Sequence, residues 1–123
     1  MRTRLVHIMI INNGVTDMKA IINGLRYNTE NAILIGKASY NGSRTDFQWW
    51  AAGLYRTPRS GRFFLAGSGG PMTRWGHRGC QQNETIGSSG IILLDHEDAL
   101  EWAERYLTHD EIEAGFAKHL TDA

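Results

Sequence analysis

Residues 53–75 read GLYRTPRSGRFFLAGSGGPMTRW, and this stretch decides the fold. Leu54–Thr57 and Arg62–Ala66 are short, partly apolar runs typical of strands. The link between them is Pro58-Arg59-Ser60-Gly61, in which proline presets φ and glycine accepts a positive φ. The stretch therefore predicts a β-hairpin that carries arginines and aromatic rings.

The second predicted strand of this hairpin has apolar side chains on both faces. Phe63 and Leu65 share one face, and Phe64 and Ala66 share the other with Arg62. We therefore expect a sheet covered by helices on one side and by a partner or by loops on the other.

Weaker signals flank the hairpin. The residues before it favour strands at Leu5–Ile11 and Ala32–Tyr40, and those after it favour a strand at Gly90–Leu94. Thr16 is a possible cap for a short helix through Asn23, but Asn13-Gly14 is equally suited to a hairpin turn, so both interpretations of residues 1–30 stay open. We expect Gly67–Pro71 to lie outside any regular element and Gly76–Gly90 to form a long loop.

The C-terminal third changes from a strand period to a helical one. Asp95 is a good N-cap, and an apolar stripe that includes Trp102 follows it. Thr108-His-Asp-Glu111 matches a capping box, which predicts a second helix with Ile112, Phe116 and Leu120 on its apolar side. The sequence thus predicts one α+β domain over residues 1–123: a mostly antiparallel sheet of about four or five strands, with two C-terminal helices packed on one face.

The zero net charge of the chain conceals a split. From Asp95 onward nine acidic and two basic residues give −7, whereas four acidic and eleven basic residues before it give +7. Opposed charges of this kind steer charged partners or drive head-to-tail self-association, or they simply neutralise each other across the fold. The single cysteine, Cys80, excludes an internal disulfide, and no apolar run reaches the roughly 20 residues of a membrane helix, so we expect a cytoplasmic protein without a membrane.

Two charged surfaces are candidate partner-binding sites. Arginines interleaved with aromatic residues resemble surfaces that bind nucleic acid or acidic proteins, and an acidic helix face attracts basic partners. The candidate residues are Arg56, Arg59, Arg62, Arg74 and Trp75 on the first surface, and Glu97, Glu101 and Glu104 on the second.

Motifs for chemistry are incomplete in this chain. Gly67-Ser68-Gly69-Gly70 could hold a phosphate, but Pro71–Trp75 follows it instead of a clear helix start, so a tight structural turn is the better interpretation. His77-x-x-Cys80 is half of a zinc spacing, and the other histidines are scattered. We therefore expect no catalytic residue, no bound metal and no cofactor.

From about Ile35 onward the chain resembles a family of small uncharacterised proteins found on bacterial plasmids, phages and integrated elements. The residues that carry this resemblance are Leu54–Thr57, Gly61–Leu65, Gly69–Trp75 and Ala99–Glu104. Several family members have His-Gly-Glu-Gly-Gly where this chain has Ala66-Gly67-Ser68-Gly69-Gly70. The resemblance implies that the protein is encoded on a mobile genetic element, and it implies no enzymatic activity or other specific function.

These observations lead to three hypotheses about function. The first is a non-enzymatic binding protein of a mobile element, an anti-CRISPR-like inhibitor that contacts a host protein or ribonucleoprotein complex. The second is a nucleic-acid-binding accessory factor that uses the arginine-rich hairpin. The third is a small hydrolase or transferase built around the Gly67–Gly70 loop.

Overall fold

The computed structural model describes the backbone of residues 5–6, 9–12, 15–43, 45–70, 72–78, 85–86 and 88–123. Side chains are described for residues 18–43, 45–70, 72–76 and 89–123. The elements are β1 (Leu5–Val6), β2 (Met9–Asn12), β3 (Val15–Ile22), β4 (Leu25–Asn28), β5 (Ile33–Ser39), β6 (Trp50–Arg56), β7 (Phe63–Gly69), β8 (His77–Arg78), β9 (Thr85–Ile86), β10 (Ser88–Leu94), α1 (His96–Tyr106) and α2 (His109–Phe116), followed by a 3-10 turn at Ala117–His119.

The main sheet has the strand order β1-β10-β7-β6-β5, and every neighbouring pair in it is antiparallel. In the central hairpin Trp50 lies opposite Gly69, and Arg56 lies opposite Phe63. The predicted α+β class is confirmed, and so is the hairpin built from residues 54–66. Neither of the two described α-helices is long and apolar enough to cross a bilayer.

The two C-terminal helices cover one face of the main sheet. Asp95 caps α1 by accepting a hydrogen bond from the Asp98 amide at 2.8 Å, and Thr108 and Glu111 form the predicted capping box of α2. Trp102 and Phe116 are buried against Phe63 of β7 and its neighbours, and the Phe63 and Phe116 rings stack at 5.0 Å. The helix packing expected from the sequence is therefore present.

A second sheet, β2-β3-β4, covers the other face. Ala20, Ile22 and Tyr27 are buried there against Phe64 and Ile91 of the main sheet. This corrects the expectation that a partner or loops would cover this face. The predicted placement of Phe63 and Phe64 on opposite apolar faces of β7 is confirmed. The two helices cover the Phe63 face, and the second sheet covers the Phe64 face.

The helix expected from Thr16 to Asn23 is wrong. Residues 15–22 form β3, which pairs with β2 and, through Asn23-Gly24, with β4. Asn23 and Gly24 have φ values of 52° and 78°, the two positive values that a tight two-residue hairpin turn requires. Packing of alternate β3 side chains on the main sheet outweighs any capping by Thr16, so the hairpin alternative for residues 1–30 is correct.

Two loop predictions also need correction. Gly67–Gly69 is not irregular but forms the end of β7, paired on both sides with β6 and β10. A Cβ at Gly67 would collide with the carbonyl oxygen of Ala51, so the glycine permits a close approach of two backbones. The Gly76–Gly90 loop contains the short pair β8–β9 and the start of β10, while Cys80 lies outside the described residues.

The β6–β7 turn is closed by a compact set of hydrogen bonds. The Thr57 amide donates to the Arg62 carbonyl at 2.8 Å, and the Gly61 amide donates to the Thr57 carbonyl at 3.1 Å. The Arg62 amide donates in turn to the Thr57 hydroxyl at 2.9 Å. Gly61 has a φ of 65°, and no atom beyond its chain neighbours lies within 4 Å of where its Cβ would be.

Replacing Gly61 with valine is expected to destabilise the protein by about 1–3 kcal/mol, because a β-branched residue resists a positive φ. Since the space around this position is open, the loss of stability comes from the positive φ and not from a collision with other parts of the protein. Gly61→Asn is the matched control, because asparagine tolerates this region much better. Thermal melting checks the prediction: equal melting temperatures for Gly61→Val and the parent would contradict the turn geometry.

Candidate partner-binding surfaces

A groove lies where the turn Thr57–Arg62 faces the second sheet. Its volume is about 260 Å³, and residues 25–28, 31–32, 57–60 and 62 line it. Arg26, Arg59 and Arg62 are all exposed and line this groove together. We call this surface the arginine groove.

The charge of the arginine groove is uncompensated within the described residues. No aspartate or glutamate lines it, and no described acidic side chain forms a salt bridge with its three arginines. Glu30 lies on the adjoining turn, where its amide donates to the Asn28 side chain at 3.0 Å, but it does not line the groove. The groove therefore presents a positive surface to an incoming ligand.

Arg56 has a different role from its neighbours. It is half-buried, and its guanidinium donates to the Gly115 carbonyl near the end of α2 at 3.0 Å. A cation at this position also interacts favourably with the C-terminal end of the helix dipole. Arg56 thus connects β6 to α2 and does not line the arginine groove. This corrects the prediction that it shares a partner-binding surface with Arg59 and Arg62.

The opposite end of the same hairpin carries an exposed apolar surface. Phe47 is 69% exposed, Met72 66% and Tyr106 40%. Tyr40, Trp50, Met72 and Tyr106 line one cleft of about 290 Å³, and the polar residues Gln48, Thr73 and Arg74 line it with them. The Met72 amide donates to the Phe47 carbonyl at 3.0 Å, so the Phe47 backbone lies next to that of Met72, although Phe47 does not line the cleft itself. We call the five residues Tyr40, Phe47, Trp50, Met72 and Tyr106 the aromatic patch.

The backbone around the aromatic patch is held by several hydrogen bonds. The Gly70 amide donates to the Trp49 carbonyl at 2.7 Å, and the Tyr40 amide donates to the Trp50 carbonyl at 2.8 Å. The Tyr40 hydroxyl donates to the Asp46 carboxylate at 3.1 Å. This hydrogen bond and the negative charge of Asp46 raise the pKa of the Tyr40 hydroxyl above its ordinary value.

Aromatic contacts support the patch from beneath. The Trp50 ring lies 4.8 Å from Tyr106 and 6.2 Å from Trp102, with edge-on geometry in both cases. Trp75 stacks on Trp50 at 6.4 Å but is only 1% exposed. This corrects the assignment of Trp75 to the partner-binding surface: its ring belongs to the core that supports Trp50.

Arg74 is exposed beside the aromatic patch and not beside the other arginines. It also lines an adjacent cleft of about 350 Å³ together with Asp98, Glu101 and Arg105, where the formal charges balance. Glu97, Glu101 and Glu104 are all exposed on α1, as the sequence predicted. Of the predicted hairpin arginines, the structure brings only Arg59 and Arg62 together.

The Gly67–Gly70 motif does not form the phosphate-binding loop weighed for an enzyme. Gly67–Gly69 takes part in the β-ladder, and the Gly70 amide is used by Trp49. Within the part of the chain that the structure describes, no group of three or more histidine, cysteine, aspartate or glutamate side chains could hold a metal ion. Cys80 and the side chain of His77 lie outside the described residues.

The chain matches no family model, no curated protein and no solved structure.

Proposed function

We propose that this protein is a non-enzymatic binding protein of a mobile genetic element, an anti-CRISPR-like inhibitor that contacts a host defence complex. The observation that carries the protein-binding role is the aromatic patch. Phe47, Met72 and Tyr106 are large apolar or aromatic side chains that are left exposed, and exposed apolar groups rimmed by polar residues are typical of protein interaction sites. The mobile-element setting comes from the family resemblance in residues 35–104.

The residue types of the patch support a protein partner. Aromatic residues, methionine and arginine are enriched at protein interfaces, and tryptophan, tyrosine and arginine dominate their energetic hot spots. Phe47, Met72 and Tyr106 provide exposed apolar groups, while Arg74 adds a charge at the rim. Burying such side chains removes apolar area from water, which contributes about 25 cal/mol per Å² in favour of a complex before the entropy and desolvation costs of association are subtracted.

The anchoring of the patch also favours tight association. Trp50 is part of β6, Tyr106 is part of α1, and the Phe47 and Met72 segments are joined by backbone hydrogen bonds. A surface that is already ordered loses less conformational entropy when a partner binds. The sequence favours the charged surfaces as partner-binding sites, whereas we propose the aromatic patch as the main contact.

Replacing Met72 with glutamate is expected to abolish capture of the host defence complex, because it would place an unpaired charge in the interface core. Met72 is 66% exposed, so the melting temperature should change little. The experiment is affinity purification of the tagged full chain from a host lysate that contains the defence complex. Mass spectrometry and nucleic-acid staining then identify what is recovered.

Ile21→Glu is the matched control, since Ile21 is 70% exposed on β3 and lies outside the patch. The parent and Ile21→Glu should retain the complex at a fixed stoichiometry, and Met72→Glu should not. Recovery of nucleic acid alone, with steep loss at higher salt, would contradict the proposal and support the accessory-factor hypothesis. Equal capture by all three proteins would show that the patch is not the contact.

A further inference from the structure

The arginine groove lies at the opposite end of the central hairpin from the aromatic patch. The β6 strand runs from Trp50 at the patch to Arg56 near the β6–β7 turn. Six residue steps along a strand span about 20 Å. A ligand of the arginine groove is therefore held separately from a partner centred on the patch.

Three arginines line this groove, and no acidic residue is among its described lining. Arg59 and Arg62 both belong to the closed β6–β7 turn, and Arg26 comes from β4 of the second sheet. Guanidinium groups bind carboxylates through two parallel hydrogen bonds, and such charge-assisted pairs are stronger than neutral ones. The groove is thus built to accept carboxylates or other anions.

The remaining lining distinguishes between classes of anion. Leu25, Ala32 and Pro58 contribute apolar side chains, and Leu25 is 37% exposed. Tyr27 is the aromatic residue of the lining, and it is only 3% exposed. Single-stranded nucleic acid is usually held by bases stacked on accessible aromatic rings, which the described lining of this groove does not offer. A lining that combines arginines with small polar and apolar side chains fits a peptide better.

We propose that the arginine groove binds an extended acidic peptide segment of a partner protein. The carboxylates of that segment pair with Arg26, Arg59 and Arg62, and one apolar side chain of the segment packs on Leu25 and Pro58. This site goes beyond the proposed inhibitor role, because it uses neither the aromatic patch nor any property of the host defence complex.

The test measures binding of defined probes to the full chain by fluorescence anisotropy. The first probe is a labelled twelve-residue peptide of aspartate and glutamate with one central leucine. The second has serine in place of that leucine, and the third is a single-stranded DNA of equal charge. We expect saturable binding of the first probe, weaker binding of the second, and the weakest binding of the third.

Arg59→Glu combined with Arg62→Glu should weaken binding of the leucine peptide by about tenfold or more, because attraction becomes repulsion. Lys37→Glu combined with Lys118→Glu is the matched control: both lysines are exposed outside the groove, and the change in net charge is the same. This control should bind with at most a few-fold loss. Melting curves of both variants report whether each remains folded.

Four results would overturn the proposal. The first is that the leucine peptide does not bind saturably, and the second is that the groove and control variants lose the same affinity for it. The third is that DNA binds more tightly than the peptide. The fourth is that the protein self-associates and only the groove variant loses this self-association. The last result would assign the groove to the acidic face of α1 in a second copy, where Glu97, Glu101 and Glu104 are exposed. None of these results depends on capture of a defence complex.

Discussion

Replacing Trp102 with alanine is expected to lower the free energy of unfolding by about 3–5 kcal/mol, which is a large part of the stability of a small domain. Trp102 is 5% exposed on the inner side of α1. Its ring lies 6.2 Å from Trp50 and 5.1 Å from Tyr106. The truncation leaves a cavity between the helix and the main sheet that its neighbours fill only partly.

Chemical and thermal unfolding followed by circular dichroism measure this effect. Glu104→Ala on the exposed side of α1 is the control, and its effect should stay within about 0.5 kcal/mol. An unchanged melting temperature for Trp102→Ala would show that α1 does not pack on the sheet as described. The same variant should also loosen Trp50 and so weaken binding at the aromatic patch.

Replacing Phe64 with alanine is expected to cost a similar amount, about 3–5 kcal/mol, on the other face of the main sheet. Phe64 is fully buried. Its ring stacks on Tyr55 at 5.3 Å and meets Tyr27 of β4 edge-on at 5.6 Å. The truncation therefore removes an aromatic contact between the two sheets and leaves a cavity in this second core.

Two neighbouring residues of β3 extend this test: Ile22 is a second buried position, and Ile21 is the exposed control. Ile22 is 3% exposed and faces Phe64, whereas Ile21 is 70% exposed. Ile22→Ala should cost about 2–5 kcal/mol, and Ile21→Ala should change stability by less than about 0.5 kcal/mol. Equal effects of the two substitutions, or a Phe64→Ala protein as stable as the parent, would show that β3–β4 does not cover the main sheet.

Local signals explain which elements the sequence predicts correctly. Asp95 and the pair Thr108 and Glu111 form their caps with residues three positions away, so the helix starts depend on nothing distant. The β6–β7 turn is likewise closed within residues 57–62. The structure of these segments is dictated by their own residues, and the prediction succeeds there.

The sequence left residues 1–30 open between a short helix and a hairpin, and the structure has the hairpin. Asn23-Gly24 between apolar runs is a favoured hairpin turn, yet Asn23 also fits the end of the short helix that Thr16 would cap. The failure at Gly67–Gly69 has another cause. Glycine is unfavourable in strands, and these residues form one only because β6 and β10 pair with them on both sides.

The candidate surfaces were only partly predictable for the same reason. Arg59 and Arg62 are close in sequence, whereas Arg26 lies in the second sheet and reaches the same groove only through the tertiary fold. No local signal in the sequence predicts this juxtaposition. Phe47 and Met72 come from separate loops that meet through a backbone hydrogen bond. Trp75 resembled a surface residue because arginine precedes it, yet its ring is buried beneath Trp50.

The most direct measurement of the proposed function is plaque formation by a phage that the CRISPR defence of the host targets. Cells express the parent protein, Met72→Glu, or the control Ile21→Glu at equal levels. We predict that the parent and the control restore plaques and that Met72→Glu does not, because the charge disrupts the aromatic patch. Failure of the parent to restore plaques, or full restoration by Met72→Glu, would contradict an inhibitor that acts through this surface.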